Sequence, residues 1–422
     1  MRWKIASLLS LAIAISYFDR QTLPVAIAAI TREIPISNTE FSQLQAAFLV
    51  AYALMYAVGG KLVDALGTRR GFLLIMIWWS LACALHGLAM SVAFLALCRF
   101  LLGTGEGGGF PAATKAVAEW FPVRERSTAL GIINAGTAVG AVVAPPVIAI
   151  ILLALHWRWI FFFSGLAGLL WTILWGRNYF VPARHPRLSE KERHEIQEVL
   201  GGTGPPRGEP KAVPWLSLFS FPQVWGLVIG KFLGDAAWYF YLFWLPKYLY
   251  DARGFDVKQV GYFAWIPYAA SGIGCLIGGW FSSWLLRRGY TLNVARKAAL
   301  GLSASLMPVI VFVTHSPVDL AIVLFSIAFF GQQFWSTIMM TLPADIFPSG
   351  SVASVAGLEG FGGALGGVVW GLVVGYLLDH GFGYGVVFTI VGTFHLLSFA
   401  VILVSLRIVQ QVKVRNPMRV AG

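Results

Sequence analysis

Seven ionisable residues fall within long apolar stretches of this chain: Asp19, Arg20, Arg99, Glu106, Lys231, Asp235 and Glu359. A charge at the centre of a bilayer costs at least about 2.5–3.5 kcal/mol, so each is expected to face an interior and to do chemistry there. Arg20 lies midway along the first stretch, and its planar guanidinium can hold a carboxylate through two parallel hydrogen bonds. It is the expected anchor for a carboxylated ligand, with Lys231 second. The plain alternative is a structural pair with a nearby acid; Asp19 is adjacent, though about 100° around a helix. Asp19 and Glu106 are the expected proton carriers, because a carboxyl in a drying cavity can take up and release protons near neutral pH. Glu106 follows Arg99 by seven residues, two turns along one face. Either Arg99 holds and releases Glu106 with its protonation, or the two form a permanent ion pair. Lys231 and Asp235 have i,i+4 spacing, which allows a pair that structure alone could explain. Glu359 sits among Gly357, Gly360, Gly362, Gly363, Gly366 and Gly367, which allow close helix approach, and is expected to line a cavity.

The elements that must position these groups are apolar helices. Of the 422 residues 58% are hydrophobic and 12% charged, with a mean hydropathy of +0.73, far from an ordinary soluble domain. Stretches of about 20 apolar residues, enough to cross a bilayer, predict twelve spans: 5–30, 40–63, 70–90, 92–118, 127–152, 157–181, 222–249, 257–286, 295–314, 317–341, 352–378 and 382–408. The first carries Asp19 and Arg20 and no small-residue cleavage site, so it reads as a retained helix and not a signal peptide. A net charge of +12 could suggest nucleic acid, but the Lys and Arg residues concentrate in alternate loops. That is the positive-inside pattern, with both termini cytoplasmic. Cys83, Cys98 and Cys275 lie in apolar spans without metal-ligand spacing or a paired partner, which supports neither a disulfide framework nor a metal site.

The longest polar stretch, 182–220, holds the charged run Glu190 to Glu198 and is expected to be a cytoplasmic linker with a short amphipathic helix. It divides the chain into six-helix bundles at 1–181 and 221–422, the second with a cytoplasmic tail. A weak repeat agrees: Gly60-Lys-Leu-Val-Asp64-Ala-Leu-Gly67-Thr-Arg69-Arg70 follows the second span, and Gly279-Trp-Phe-Ser-Ser283-Trp-Leu-Leu-Arg287-Arg288-Gly289 follows the eighth. Repeated bundles that rock about a midplane site are the architecture of alternating access. Recognition of a sugar needs flat apolar faces beside hydroxyl-bonding groups. Tyr17, Tyr52, Tyr56, Asn134, Trp238, Gln332, Gln333, Trp335 and Ser336 offer these at mid-depth, although a single aromatic in such a chain more often packs a helix interface. The glycine run Gly103 to Gly109 lies inside a span, with no preceding strand and no phosphate-binding lysine, so nucleotide binding is discounted.

The stretch Gly60 to Arg70 resembles the loop signature of the major facilitator superfamily, and Arg99-Phe-Leu-Leu-Gly103-Thr-Gly105-Glu106 resembles its fourth-helix motif. Tyr17-Phe18-Asp19-Arg20, Glu106 with Phe110-Pro111, and Trp120-Phe-Pro-Val-Arg124-Glu125-Arg126 resemble the anion:cation symporter family. Lys231-Phe-Leu-Gly-Asp235 with Trp238-Tyr-Phe-Tyr-Leu-Phe-Trp244-Leu-Pro246-Lys-Tyr248 is similar to the seventh helix of bacterial hexuronate transporters. The resemblance implies an all-α membrane protein of twelve transmembrane helices in two six-helix halves, and a proton-coupled importer of a hexuronate such as glucuronate or galacturonate. It also implies Arg20 and Tyr17 at the substrate and Asp19 and Glu106 in proton coupling. Ser283 departs from the pattern where the second-half loop often carries an Asp. Asp64, Arg69, Arg70, Arg124 and Arg126 are expected either to form a cytoplasmic charge latch or to serve only as orientation charges.

The expected partners are a small anionic sugar acid, protons and the lipid bilayer, with no cofactor, no metal, no nucleic acid and a monomeric chain in the inner membrane. Transport of another organic anion (an aldonate, tartrate or an aromatic acid) by symport or exchange is the alternative. A membrane-embedded enzyme finds no nucleophile–base motif and no metal-spaced cluster in the sequence.

Overall fold

The computed structural model describes residues 1–121, 123–182, 185, 186, 188, 215–347 and 349–410; within its helices the side chains of Asp64, Arg124 and Arg126 are not described. Described residues form helices and no strand, as hydrocarbon requires of a chain whose backbone must satisfy its own hydrogen bonds. The helices are α1 (Arg2–Thr31), α2 (Asn38–Leu66), α3 (Thr68–Leu85), α4 (Val92–Glu106), α5 (Gly109–Trp120), α6 (Val123–Ala154) and α7 (Arg158–Asn178). After the linker come α8 (Pro222–Arg253), α9 (Val257–Phe263), α10 (Trp265–Arg287), α11 (Leu292–Leu306), α12 (Val318–Met339), α13 (Leu342–Ile346), α14 (Ser349–Asp379) and α15 (Gly383–Ser405). Joined end to end, α4 with α5 and α9 with α10 each make one crossing, and the 3-10 segment Met307–His315 completes the crossing begun by α11. Most of 182–220, including the expected amphipathic helix, lies outside the described residues.

Eight helical segments among the described residues are long and apolar enough to cross a membrane on length and composition. Asp19, Arg20 and Gln21 lower the hydropathy of α1, and Lys231 and Asp235 that of α8. Two of the helices that hold the buried charges are thus less apolar than their neighbours. Leu54, Leu74, Leu81, Ile150, Leu276 and Val404 stand exposed on the outside, where only lipid suits so apolar a surface.

The repeat expected from the loops reappears in the packing. In the first half α1 packs on α6, α2 on α4 and α3 on α7; in the second α8 packs on α14, α10 on α12 and α11 on α15. The halves meet where α2 lies along α14, α6 along α9 and α10, and α1 along α8. α1 begins beside the N-terminus and ends at Thr31 on the far side of the molecule. There the halves are bonded together. Asp379, at the end of α14, accepts from the backbone N–H of Asn38 at 3.0 Å and of Thr39 at 2.7 Å, and from the Asn38 side chain at 2.8 Å. These are orphan donors of the first turn of α2, so a carboxylate of one half caps a helix of the other. Tyr250 donates to the Val25 carbonyl at 2.8 Å, and Trp244 meets Phe41 edge-on at 5.0 Å.

Candidate functional site

Arg20 is buried on α1, and its Nε donates to Glu106 Oε2 at 2.8 Å. Ser16, one turn earlier, donates its hydroxyl to the same oxygen at 2.6 Å. Glu106 ends α4, and the chain keeps right-handed helical backbone through Gly107 and Gly108 into α5, so the fourth crossing continues past this carboxylate. A Cβ on Gly103, one turn back, would run into the Phe48 carbonyl, so only glycine lets α4 approach α2 this closely. The Arg20 guanidinium lies 4.5 Å from the centre of the Tyr17 ring, 4.6 Å from Tyr52 and 5.3 Å from Phe48, an aromatic cage for a cation.

Arg99 takes a different partner from the one its spacing suggests. One of its terminal nitrogens donates to Gln45 Oε1 at 2.7 Å and reaches the Arg20 carbonyl at 3.5 Å. That carbonyl is free because Pro24, four residues on, has no N–H to give it. The Arg99–Glu106 hydrogen-bonded pair is not formed: seven residues separate the two by about 10 Å along the axis, whereas α1 brings Arg20 level with Glu106. Asp19, fully buried, accepts from the Ser164 hydroxyl on α7 through Oδ1. Asp19 Oδ2 and Glu106 Oε1 are buried with no hydrogen-bond partner.

In the second half Lys231 and Asp235 form the expected pair on α8, Nζ to Oδ1 3.5 Å, and Lys231 also donates to Ser336 Oγ on α12 at 3.2 Å. Tyr239 continues the same stripe of α8 and lies within electrostatic reach of Arg20, Tyr52 and Tyr17, so the stripe faces the first half's cage. Glu359 is buried on α14, within electrostatic reach of Lys231 and Asp235, and its Oε1 has no partner. Gln332, one turn before Ser336, is buried with its Oε1 unpartnered. The prolines repeat their role here: Pro246 leaves the Leu242 carbonyl free, and it accepts from Gln21 of α1 at 3.2 Å and from Tyr268 at 3.1 Å.

Tyr17 and Tyr52 therefore gather around Arg20, and Lys231 with Ser336 around the α8 stripe, with Gln332 one turn from Ser336. Tyr56 lies beside Tyr52, the ring centres 5.8 Å apart and the planes tilted by 50°, and extends the cage along α2. Other expected residues do not join them. The Trp335 ring packs against Gly234 and edge-on to the buried His395 at 5.4 Å, in the seam between α8 and α15. Trp238 meets Phe329 edge-on at 6.0 Å. Gln333 is half-buried on the face of α12 next to Gln332, and Asn134 is half-buried on α6, one turn before Ala138 at the contact with Gly272 of α10. Ser16, Gln45, Ser164 and Tyr239 were not anticipated. Only Tyr239 had a sequence signal, the i,i+4 continuation of Lys231 and Asp235.

Of the expected latch residues, Arg69 is engaged within its own half. It donates to the Gly176 carbonyl at 2.5 Å and lies 4.0 Å from the Phe180 ring centre; Arg70 is exposed. In the second half Arg296 joins Asp345 at 2.7 Å and Ser282 at 2.8 Å, so a charge lock exists near the position where Ser283 lacks the usual carboxylate.

Comparison with known proteins identifies the family. Residues 9–371 match the Major Facilitator Superfamily. The hexuronate transporter of Escherichia coli (strain K12) is 32% identical over 411 residues, 95% of this chain and 93% of that protein. A probable sulfoacetate transporter of Cupriavidus necator is 34% identical over 398 residues, covering 93% and 90%, and the D-galactonate transporter of Escherichia coli O6:H1 is 30% identical over 384, covering 89% and 88%. Among solved structures, a bacterial homolog of the human lysosomal transporter Spinster superposes over 96% of this chain and 97% of its own with a TM-score of 0.74 at 17% identity. The chain therefore belongs to the Major Facilitator Superfamily, as a membrane transporter and not an enzyme.

Proposed function

We propose that the chain is a proton-coupled symporter that imports a sugar acid, a hexuronate such as glucuronate or galacturonate, across the inner membrane with both termini cytoplasmic. The observation that carries this reading is the buried Arg20–Glu106 pair, with an unpartnered oxygen on Glu106 and another on Asp19. A substrate carboxylate that takes the Arg20 guanidinium displaces Glu106. Stranding that carboxylate as an unpaired charge costs several kcal/mol in the interior, so it binds a proton instead. Asp19, with one oxygen free, is the second carrier. Substrate and proton thus enter together because one arginine cannot serve two carboxylates. Tyr17, Tyr52 and Tyr239 supply apolar faces for the sugar ring, and Lys231, Ser336 and Gln332 hydrogen-bond its far end. The charges Asp64, Arg70, Arg124 and Arg126 hold the state closed to the cytoplasm, the opposite of the far-side seal described above.

The support from relatives is that three proteins of about this length and about one-third identity are named for carboxylated or sulfonated substrates. The D-galactonate relative favours an aldonate as the second reading. Purified protein in vesicles separates them: labelled galacturonate uptake is expected to rise with an inward proton gradient and to fall under unlabelled glucuronate. Uptake indifferent to the gradient overturns coupling, and displacement by galactonate alone overturns the hexuronate assignment.

A further inference from the structure

Gln21 follows the anchor Arg20 on α1 and is fully buried, and its Nε2 donates to the Leu242 carbonyl of the other half at 3.2 Å. A carbonyl can only accept, so the nitrogen of the amide must face it, and the amide oxygen is the atom left over. That oxygen, Oε1, is buried with no hydrogen-bond partner among the described residues. One turn beyond Gln21, the Val25 carbonyl accepts from Tyr250, which follows Leu242 on α8, so the two helices run in the same direction. The turn before the Gln21–Leu242 contact therefore sets Tyr17 of α1 opposite Tyr239 of α8. The Tyr17 ring lies 4.5 Å from the Arg20 guanidinium, so Gln21 is the polar group that covers the far side of the space in which a ligand on Arg20 would lie. The Leu242 carbonyl does not depend on Gln21, because it also accepts from Tyr268 of its own half at 3.1 Å. When the halves part on the far side the carbonyl stays satisfied, and the Gln21 amide is released to meet an incoming molecule.

We infer that Gln21 is a specificity residue: with its Nε2 held by the Leu242 carbonyl across the closed far side, its Oε1 accepts a hydrogen bond from one hydroxyl of the sugar acid anchored on Arg20. The inference rests on the sugar-acid reading above. An amide oxygen has lone pairs and no proton, so it takes a hydroxyl donor and turns away a carboxylate oxygen. A buried acceptor without a donor is costly, and a site built to bond a hydroxyl discriminates against the analogue that lacks it, since its own polar group is then left unpaired. The same amide spans the seam between the halves, so a substrate that holds Oε1 in place also favours the form closed on the far side.

The test measures uptake of labelled galacturonate into vesicles by the full-length chain, with galacturonate and its singly deoxygenated forms, one for each non-anomeric hydroxyl, as unlabelled competitors. On the unmodified protein one deoxy sugar is expected to compete about tenfold less well than galacturonate. In Q21L, which keeps much of the shape and has no acceptor, galacturonate itself is expected to weaken by about tenfold and that same deoxy sugar to lose nothing further. A role in packing alone weakens all the sugars equally and leaves their ratio in place. Q21N, whose amide is one methylene shorter, gives the same comparison where Q21L is not recovered folded, and the ratio is expected to shrink there too. Should galactonate be the acid carried, its singly deoxygenated forms are read in the same way. Equal competition by every deoxy sugar on the unmodified protein, or a ratio that survives in the variants, overturns the inference and leaves the sugar-acid reading standing. No uptake of any sugar acid by the unmodified protein removes that reading, and the inference with it.

Discussion

The two halves of the site bury a similar number of charges in opposite ways. In the first half the bonds run between helices: Arg20 of α1 to Glu106 of α4, Arg99 of α4 to Gln45 of α2, Ser164 of α7 to Asp19 of α1. In the second half the ion pair Lys231–Asp235 stays within α8, and among the described residues its one hydrogen bond to another helix is to Ser336. A charge shared between helices links proton occupancy to where those helices sit; a pair on one helix leaves its neighbours free and its charge available to a ligand. On the function proposed above, the difference would place coupling in the first half and reading of the substrate's far end in the second.

The largest break in that comparison is R20A. It removes the anchor and strands Glu106, and uptake in vesicles is expected to fall by about 100-fold or more, with a loss of thermal stability on the order of 3–5 kcal/mol unless Glu106 takes a proton. Retained uptake would return Arg20 to a structural role. E106Q separates the two functions: accumulation against a gradient is expected to disappear, while exchange of labelled for unlabelled substrate persists within about tenfold, since the neutral amide imitates the protonated acid. Gradient-driven accumulation by E106Q would move coupling elsewhere. Q45A leaves Arg99 with less of its buried bonding and is expected to cost about 1–3 kcal/mol of stability with a smaller effect on substrate affinity, read by thermal unfolding. D379N weakens the cap on α2 by about 1 kcal/mol; a spin-label pair across the far side should then show the open population rising by roughly fivefold.

The smallest expected effect is at the exposed edge of the first half, outside the membrane. Arg158 donates to Glu33 at 2.7 Å, and this bond, with the nearby His156, holds the Glu33 carboxyl below its ordinary value against the opposing effect of desolvation. A depressed folded-state value contributes stability above the unfolded value and loses it as pH falls through the folded one. E33Q is therefore expected to lower stability by less than about 1 kcal/mol at pH 7, because solvent screens the pair, and to have no effect well below pH 4. Equal effects of E33Q and Q45A at pH 7 would show that burial is not what distinguishes the inner network.

The sequence was informative where the bilayer makes a residue costly. Asp19, Arg20, Arg99, Glu106, Lys231, Asp235 and Glu359 stand out because lipid has no use for them, and the structure buries six of the seven and most of Asp235. Helical periodicity correctly paired Lys231 with Asp235, which share one helix. The same reasoning suggested a partnership of Arg99 with Glu106 that does not form, because periodicity says which face a residue occupies and nothing about which helix lies opposite. The Ser16 and Ser164 hydroxyls and the Gln45 amide look ordinary in sequence. Their importance comes from the charges they meet, 54 to 145 residues away along the chain.

From the sequence alone followed the class of protein, the expected number of crossings and the inventory of charges that must be hidden, since those depend on transfer from water to hydrocarbon, a property of each residue and its near neighbours. Which acid holds which arginine was decided only by tertiary packing: by Gly103 letting α4 close on α2, by Pro24 and Pro246 leaving carbonyls for side chains of other helices, and by Asp379 reaching the first turn of α2. A hydrogen bond acts over about 3 Å, and no pattern within one helix can determine what another helix brings to that distance.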